Sequence, residues 1–213
     1  MAHSKGALVY ADLVQGAGAM PIDIRDTDVD FAASASYKWL QGDFGLGFLY
    51  VKKSVLPGLL RPVMSFMQVR NYETHMFPDD TPGTSEISYE QLPTAAGYFQ
   101  QGTQANAITE TLAYSLDYIQ RLGVANIQRH IQTHIARLRT EVPRLGHTLI
   151  TPTSSVGPLI SFQLKNPAAV EAKLKAAKID VSLGGDRMRV SPAVYTNTQD
   201  IDRLLTALEQ AKS

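Results

Sequence analysis

The sequence predicts an α/β fold, in which a strand-rich first part leads into amphipathic helices and a small α+β domain. Short apolar runs at 7–11, 29–33 and 47–51 are bounded by Gly, Asp or Pro, which is typical of buried strands. Beyond the polar, breaker-rich segment 78–85, apolar residues recur at helical spacing. Strands and helices then alternate to the end of the chain, which indicates a layered α+β unit.

Two amphipathic helices separated by Gly123 follow the breaker-rich segment. The first carries apolar residues at intervals of four, four and three, and the second repeats this pattern: Ile108, Leu112, Leu116 and Ile119, then Ile127, Ile131, Ile135, Leu138 and Val142. Further along, 159–164 and 187–191 are predicted strands, while 167–178 and 198–212 are predicted helices. We therefore divide the chain into a large domain over 1–104 and, over 105–213, connecting helices with a small C-terminal domain.

Composition and charge narrow the classes of partner. Twenty Lys and Arg residues balance twenty Asp and Glu residues, so no net field attracts nucleic acid or an anionic membrane. No apolar run approaches the ~20 residues needed to span a bilayer, and the first residues have no signal-peptide core. The absence of cysteine excludes disulfides, thiolate metal sites and a cysteine nucleophile within this sequence. We expect a cytoplasmic protein without a nucleic-acid or membrane partner.

The first third of the sequence contains the candidate chemistry. Asp12 directly follows an apolar run, at the strand end where α/β sheets place ligand-binding groups, and Gln15 lies three residues further on. The run 29–33 leads to Lys38. Taken singly, Lys38 is most simply a solvated lysine and Asp12 a capping carboxylate. The glycines at Gly42 and nearby positions precede a strand rather than a helix, so a hairpin turn is favoured over a dinucleotide loop.

Together, four segments in one order resemble the class V aminotransferases, which are pyridoxal-5'-phosphate (PLP) dependent enzymes of fold type I. The stretch from Ala2 to Gln15 is similar to the family segment ending in Asp-x-x-Gln or Asp-x-x-His. The stretch from Ser36 to Leu40, with the glycines and strand after it, resembles the lysine motif in its kynureninase-like form. The two later matches are Phe99-Gln100-Gln101-Gly102-Thr103 and the run from Arg187 to Pro192 that continues through Tyr195, Asn197 and Asp200. The superfamily also contains cysteine-desulfurase-like enzymes.

The resemblance implies a PLP site in which Lys38 is the Schiff-base lysine and moves protons at the substrate α-carbon. Asp12 would pair with the pyridine nitrogen, and Gln15 would donate a hydrogen bond to the phenolic oxygen of the ring. Ser36 and Tyr37 would bind the cofactor phosphate through their hydroxyl groups. PLP itself would carry the electronic part of the reaction.

The resemblance also implies a substrate and a partner subunit. Arg189 would bind the carboxylate of an amino-acid substrate in a bidentate pair. In the family, the Gly-Thr element reaches the phosphate of the partner subunit, so Gly102 and Thr103 imply a homodimer with shared sites. No metal is implied. A metal site at His130 and His134 is disfavoured because only two ligands are visible, and a solvated helix face is the expected setting of this pair.

The resemblance begins in the middle of the family pattern, so we expect a partial fold type I structure: the later strands of the large-domain sheet and the small domain. This C-terminal half would be a truncated form, or one half of a split enzyme whose N-terminal half a separate chain supplies. A sheet cut in this way would have an unpaired edge and an uncovered apolar face.

Several functions remain open from the sequence. Transamination and related Cα or Cβ lyase chemistry lead, and epimerase-like chemistry stays open. Two departures from the family pattern, Asp43 in place of proline and Ala193 in place of histidine, leave the substrate undetermined. The lack of cysteine disfavours a desulfurase with a persulfide-forming cysteine in this half. The alternative is a non-catalytic remnant or interaction module that keeps only half of the PLP site.

Overall fold

The computed structural model describes residues 1–73 and 88–212. The predicted breaker-rich segment 78–85 lies outside these residues. Within them, no helix is both long enough and apolar enough to cross a membrane. The described strands form a three-stranded, a two-stranded and a four-stranded sheet.

The three-stranded sheet is formed by β1 (Tyr10–Asp12), β2 (Phe31–Ala35) and β3 (Gly47–Val51). Strand β2 lies in the centre, parallel to β1 and antiparallel to β3. The β2–β3 pairing confirms the predicted hairpin, and the connection between these strands contains Lys38. β3 has the predicted bounds, whereas β1 and β2 begin later than their apolar runs.

The predicted burial of β1 and β3 is wrong. The side chain of Tyr10 in β1 is 60% exposed, and Phe48 and Leu49 in β3 are 44% and 41% exposed. Only β2 is flanked on both sides, and in the described residues β1 and β3 are both edge strands. The expectation of an unpaired edge and an uncovered apolar face is therefore confirmed.

A small unit of short elements, which the sequence analysis did not predict, follows the first sheet. Strands β4 (Val69–Glu73) and β5 (Ser88–Gln91) pair antiparallel, and helix α1 (Ala95–Phe99) follows. The Arg61 guanidinium joins the unit because it donates to the carbonyl oxygens of Leu92 and Gly97. These elements are too short to produce a readable apolar period.

The two predicted amphipathic helices are confirmed as α2 (Asn106–Leu122) and α3 (Val124–Arg144). Gly123 separates them with φ of +79°, a conformation that glycine adopts without a steric cost. Helix α3 buries its apolar face completely, whereas α2 buries only Ile119. The core therefore lies against α3.

The last part of the chain is an α+β unit, as predicted. Its antiparallel sheet has the order β6-β7-β9-β8. Its strands and helices are β6 (Thr148–Leu149), β7 (Ile160–Gln163), α4 (Pro167–Ala176), β8 (Ser182–Gly184), β9 (Arg187–Val190) and α5 (Thr198–Gln210). Phe162, Met188 and Leu208 are fully buried and pack in one cluster with the apolar face of α3. Strands β6 and β8 were not predicted because they have two and three residues.

Candidate active site

Lys38 lies in a closely bent connection between β2 and β3. The Gln41 amide donates to the carbonyl oxygen of Lys38 at 3.0 Å, and the Gly42 amide donates to the carbonyl oxygen of Ser36 at 2.9 Å. Gln41 has φ of +54°, which is unusual for a residue with a side chain. The hydroxyl of Ser115, on α2, donates to the Gln41 carbonyl at 2.8 Å. Backbone and helix contacts together therefore fix the turn that follows Lys38.

A hydrogen bond between Trp39 and Gln15 joins this connection to the end of β1. The indole N–H of Trp39 donates to Oε1 of Gln15 at 3.1 Å. Since an indole nitrogen can only donate, the amide oxygen of Gln15 must face it, and the Gln15 NH₂ group keeps its donors for another partner. Gly18 permits the close approach, because a Cβ at that position would lie 2.6 Å from the Trp39 carbonyl oxygen.

A cavity of about 270 Å³ brings residues from both ends of the chain together. Gln15, Tyr37, Lys38 and Trp39 line it from the first sheet, and Arg189 lies in the lining from β9. The remaining lining residues are Gly18, Gln41, Ile127, Ser191, Ala193, Val194 and Tyr195. Four of the predicted site residues therefore share one cavity: Gln15, Tyr37, Lys38 and Arg189.

Among the described residues, few partners restrain the charged groups of Lys38 and Arg189 in this cavity. The Lys38 ammonium lies 5.8 Å from the centroid of the Tyr37 ring, within the range of a cation–π contact. The Tyr37 ring stacks on Phe44 with centroids 4.8 Å apart. The Arg189 guanidinium donates to the Ser182 hydroxyl at 3.0 Å and is otherwise exposed. A lysine and an arginine thus face one space of small-molecule size.

Four predicted site residues are not in this lining. Asp12 is exposed at the end of β1, where its carboxylate accepts the Val14 amide at 2.9 Å. Ser36 is fully buried, and its hydroxyl donates to the Asp43 carbonyl at 2.7 Å. Gly102 donates its amide to the Ser65 hydroxyl at 3.3 Å, and Thr103 is exposed. In this structure the Ser36 hydroxyl thus supports the turn, and its phosphate contact stays a prediction.

Several residues of the lining were not predicted from the sequence. Gln41 lies three residues after Lys38, and only its backbone conformation distinguishes it. Ile127 was assigned to the apolar face of the second helix, and the helical period cannot tell a core contact from a cavity wall. Gly18 had a visible signal in the run Gly16-Ala17-Gly18, where small residues allow close packing.

The expected solvated setting of His130 and His134 is wrong. His134 is only 5% exposed, and Nε2 of each ring lies within 3.1 Å of the Thr196 carbonyl oxygen. The two rings are edge-on with centroids 4.7 Å apart. Among the residues that the structure describes, no group of three or more His, Asp or Glu side chains could hold a metal ion.

Comparison with known proteins identifies the family. The family model described as Aminotransferase class-V matches residues 1–204. The chain therefore belongs to the class-V aminotransferase family, whose members are PLP-dependent enzymes. Solved structures with this fold include a cysteine desulfurase from Thermococcus onnurineus NA1, with a TM-score of 0.79 and 21% identity over 97% of this chain and 53% of that one. The fold is thus part of PLP fold type I, as predicted.

The curated relatives of this chain have different names. The uncharacterized aminotransferase YcbU of Bacillus subtilis is 25% identical over 202 residues, which cover 94% of this chain and 50% of that protein. A probable cysteine desulfurase of Methanothermobacter thermautotrophicus is 30% identical over 78% of this chain and 38% of its own length. Isopenicillin N epimerase of Streptomyces clavuligerus is 26% identical over 98% of this chain and 54% of its own length. The chain spans about half the length of most of the relatives it matches.

Proposed function

We propose that this chain carries the lysine side of a PLP site and acts on an amino acid, by transamination or by related Cα or Cβ lyase chemistry. The observation that carries the proposal is that Lys38, Gln15 and Arg189 line the same cavity. Lys38 is the one lysine among its lining residues, so it is the candidate to hold the cofactor covalently. PLP, when bound, supplies an electron-accepting ring conjugated to an aldehyde.

The donor set around Lys38 fits this cofactor. The Gln15 NH₂ group is free to donate to the phenolic oxygen, because Trp39 already uses the Gln15 oxygen. Asp12, three residues earlier at the end of β1, would accept a hydrogen bond from the protonated pyridine nitrogen. Tyr37 and Ser36 precede Lys38 and would supply hydroxyls for the phosphate, and of these two only Tyr37 lines the cavity.

The substrate side of the proposal rests on Arg189. A guanidinium presents paired N–H donors that match the two oxygens of a carboxylate. Arg189 lies on β9, whose alternate residues Met188 and Val190 are buried, so the strand anchors it firmly. Arg189 would hold the substrate carboxylate, and the substrate amine would lie near Lys38. The side-chain amine of Lys38 is then the group that would move the proton at the substrate α-carbon.

The absence of cysteine bears on the choice of reaction. Several relatives are called cysteine desulfurases, yet this chain contains no cysteine that could accept sulfur. Chemistry without a thiol nucleophile in this chain is therefore favoured, and transamination, lyase chemistry and epimerisation all meet this condition. Replacement of the family histidine by Ala193, in the cavity lining, bears on the substrate side chain.

The assembly is part of the proposal. Gly102 and Thr103 lie outside the cavity lining, which fits a role at the site of a partner subunit in a cytoplasmic homodimer. The exposed apolar side chains of β1 and β3 fit a further contact with a separate chain that bears the other half of the family fold. The division into 1–104 and 105–213 stays a proposal.

Titration of the purified chain with PLP tests the cofactor site. We expect a visible absorbance band from lysine-bound PLP, and borohydride reduction should fix the cofactor on the peptide that contains Lys38. Lys38→Ala should abolish both signals. Lys53→Ala is the matched control, because Lys53 is exposed on a short helical turn and lies outside the lining.

The alternative is a non-catalytic remnant or interaction module. It is favoured by the apolar side chains exposed on the first sheet and by the match to only half of the relatives' length. If PLP yields no band, no trapped peptide and no difference between Lys38→Ala and the wild type, the catalytic proposal for this chain alone is lost and the remnant is retained.

A further inference from the structure

A pair of histidines on α3 holds a turn that forms part of the cavity wall. His130 and His134 are four residues apart and therefore lie on one face of the helix. Their Nε2 atoms lie 2.8 Å and 3.1 Å from the carbonyl oxygen of Thr196. Since a carbonyl oxygen only accepts, both Nε2 atoms must carry a proton, and the Thr196 carbonyl uses both lone pairs.

Thr196 also closes the turn that precedes it. Its amide donates to the Ala193 carbonyl at 3.0 Å, and its hydroxyl accepts the Ala193 amide at 2.9 Å. Two hydrogen bonds between Ala193 and Thr196 thus close this four-residue turn. The two histidine bonds attach this turn to α3.

The attached turn is a wall of the candidate active site. Ala193, Val194 and Tyr195 all line the cavity that contains Lys38 and Trp39. Ile127, one helical turn before His130, lines the same cavity directly. Helix α3 therefore reaches the cavity by two routes, once through Ile127 and once through the turn that its histidines hold.

We propose that His130 and His134 are positioning residues, which fix the Ala193–Tyr195 wall and so set how tightly a ligand fits against Lys38 and Arg189. The inference deepens the proposed function, since the ligand is the one assigned to this cavity. Neither histidine lines the cavity, so both act through Thr196.

The arrangement depends on the charge of the His134 ring. Protonation of His134 would place the added proton on Nδ1 and would put a charge on a buried ring whose centroid lies 4.7 Å from that of the His130 ring. Burial, followed by the charge of His130, lowers the pKa of His134 below its ordinary value of 6.5, and Arg137 acts in the same direction. Asp200 opposes them, as does the Thr196 carbonyl. The wall should therefore be held at neutral pH and loosen as the pH falls below 6.5.

Trp39 supplies a readout that needs neither cofactor nor activity, because it is the one tryptophan of the chain and lines the cavity. The test compares two double variants. His130→Leu/His134→Leu removes both donors, whereas His130→Gln/His134→Gln keeps an amide donor near each Nε2 position but cannot titrate. His147→Leu is the control, because His147 is buried to a similar degree and lies outside this cavity.

In the leucine variant, acrylamide should quench Trp39 more strongly than in the wild type and in the His147→Leu control. The glutamine variant should resemble the wild type at neutral pH and lose the rise in quenching that the wild type shows in acid. The affinity for PLP should fall about tenfold in the leucine variant, a loss of the size that one or two net hydrogen bonds carry.

Equal quenching in the leucine variant and the control, or an unchanged acid response in the glutamine variant, would overturn the positioning role. If PLP does not bind to any form, the proposed function fails, yet the quenching data still decide the role of the histidines. If PLP binds equally well to all forms and quenching is unchanged, the cofactor proposal survives and the positioning role does not.

Discussion

His3 connects the N-terminal segment to the first sheet through contacts with the carboxylates of Asp28 and Asp30. Its Nδ1 lies 2.9 Å from Asp28, and its Nε2 lies 2.7 Å from Asp30, which directly precedes β2 and is almost fully buried. The Asp30 carboxylate also accepts the Val9 amide at 2.7 Å. The hydrogen bond to Asp30 is the largest cause that raises the pKa of His3, and the same bond is the largest cause that lowers the pKa of Asp30.

The contribution of His3 to stability should therefore depend on pH in a definite direction. A raised pKa means that the stabilisation is complete below 6.5, the ordinary value of histidine, and is lost as the pH rises through the folded value. The contribution of Asp30 is present above its ordinary value of 3.8 and is lost as the pH falls through its lowered value.

Urea denaturation at about pH 5.5 and about pH 8.5 measures the His3 effect. His3→Gln should lower the midpoint at the acidic condition and change it much less at the alkaline one. Lys5→Ala, an exposed neighbour, should leave both midpoints unchanged. An equal loss at both pH values would contradict a charge-assisted contact.

Residue identity was easier to predict than residue environment. The strand ends and the motif order were enough to select Lys38, Gln15 and Arg189, which the structure brings to one cavity. The direction of the Ser36 hydroxyl was not predictable, because its acceptor, the Asp43 carbonyl, is placed by the turn. The hydrogen bond from Trp39 to Gln15 was not predictable, because the two residues are distant in sequence. The solvated interpretation of His134 failed for the same reason.

At the scale of elements, the long helices were predictable because the helical period of their apolar residues agrees with the residues that mark their ends. Helix α5 begins after Asn197, whose side chain accepts the Asp200 amide at 3.1 Å, and the Asp200 carboxylate accepts the Asn197 amide at 2.9 Å. This reciprocal pair is a capping box, which fixes the start of a helix. Strands such as β6, with two residues, have no room for a period and form only where a partner strand pairs with them.

Removal of this cap should destabilise the C-terminal α+β unit that contains α5. Asn197→Ala should cost about 1 kcal/mol of the free energy of unfolding, the usual value of a helix N-cap. Asn197→Asp keeps an acceptor at the same position and should lose less. Thermal or urea unfolding followed by circular dichroism measures both, and an alanine variant as stable as the wild type would refute the role of the cap.

At the scale of the whole molecule, the buried core is unevenly distributed. The main cluster is formed almost entirely by residues from 119 onward, with Ala19 as the contribution from the first part. The first sheet has buried residues such as Ala32 and Val51, but they lie outside this cluster. Two regions of unequal stability follow from this distribution.

Two phenylalanine-to-alanine substitutions, one in each region, should reveal the difference in stability. Phe162→Ala, in β7, removes a fully buried ring and should cost about 3–5 kcal/mol. Phe48→Ala, in β3, removes a ring that is 44% exposed and should cost clearly less. Hydrogen exchange should accordingly be slower in β7 and β9 than in β1. Comparable losses in the two variants would contradict the unequal packing of the two regions.

The cavity has one wall on each of these two regions. Lys38 belongs to the weakly packed sheet, and Arg189 belongs to the strand beside the core. A ligand bonded to both would close a loop between positions 38 and 189, and would act as a cross-link in a chain that has no cysteine to form one. Most of the resulting gain in stability would appear in the first sheet, so the ligand would stabilise the weakly packed part of the fold as well as occupy the site.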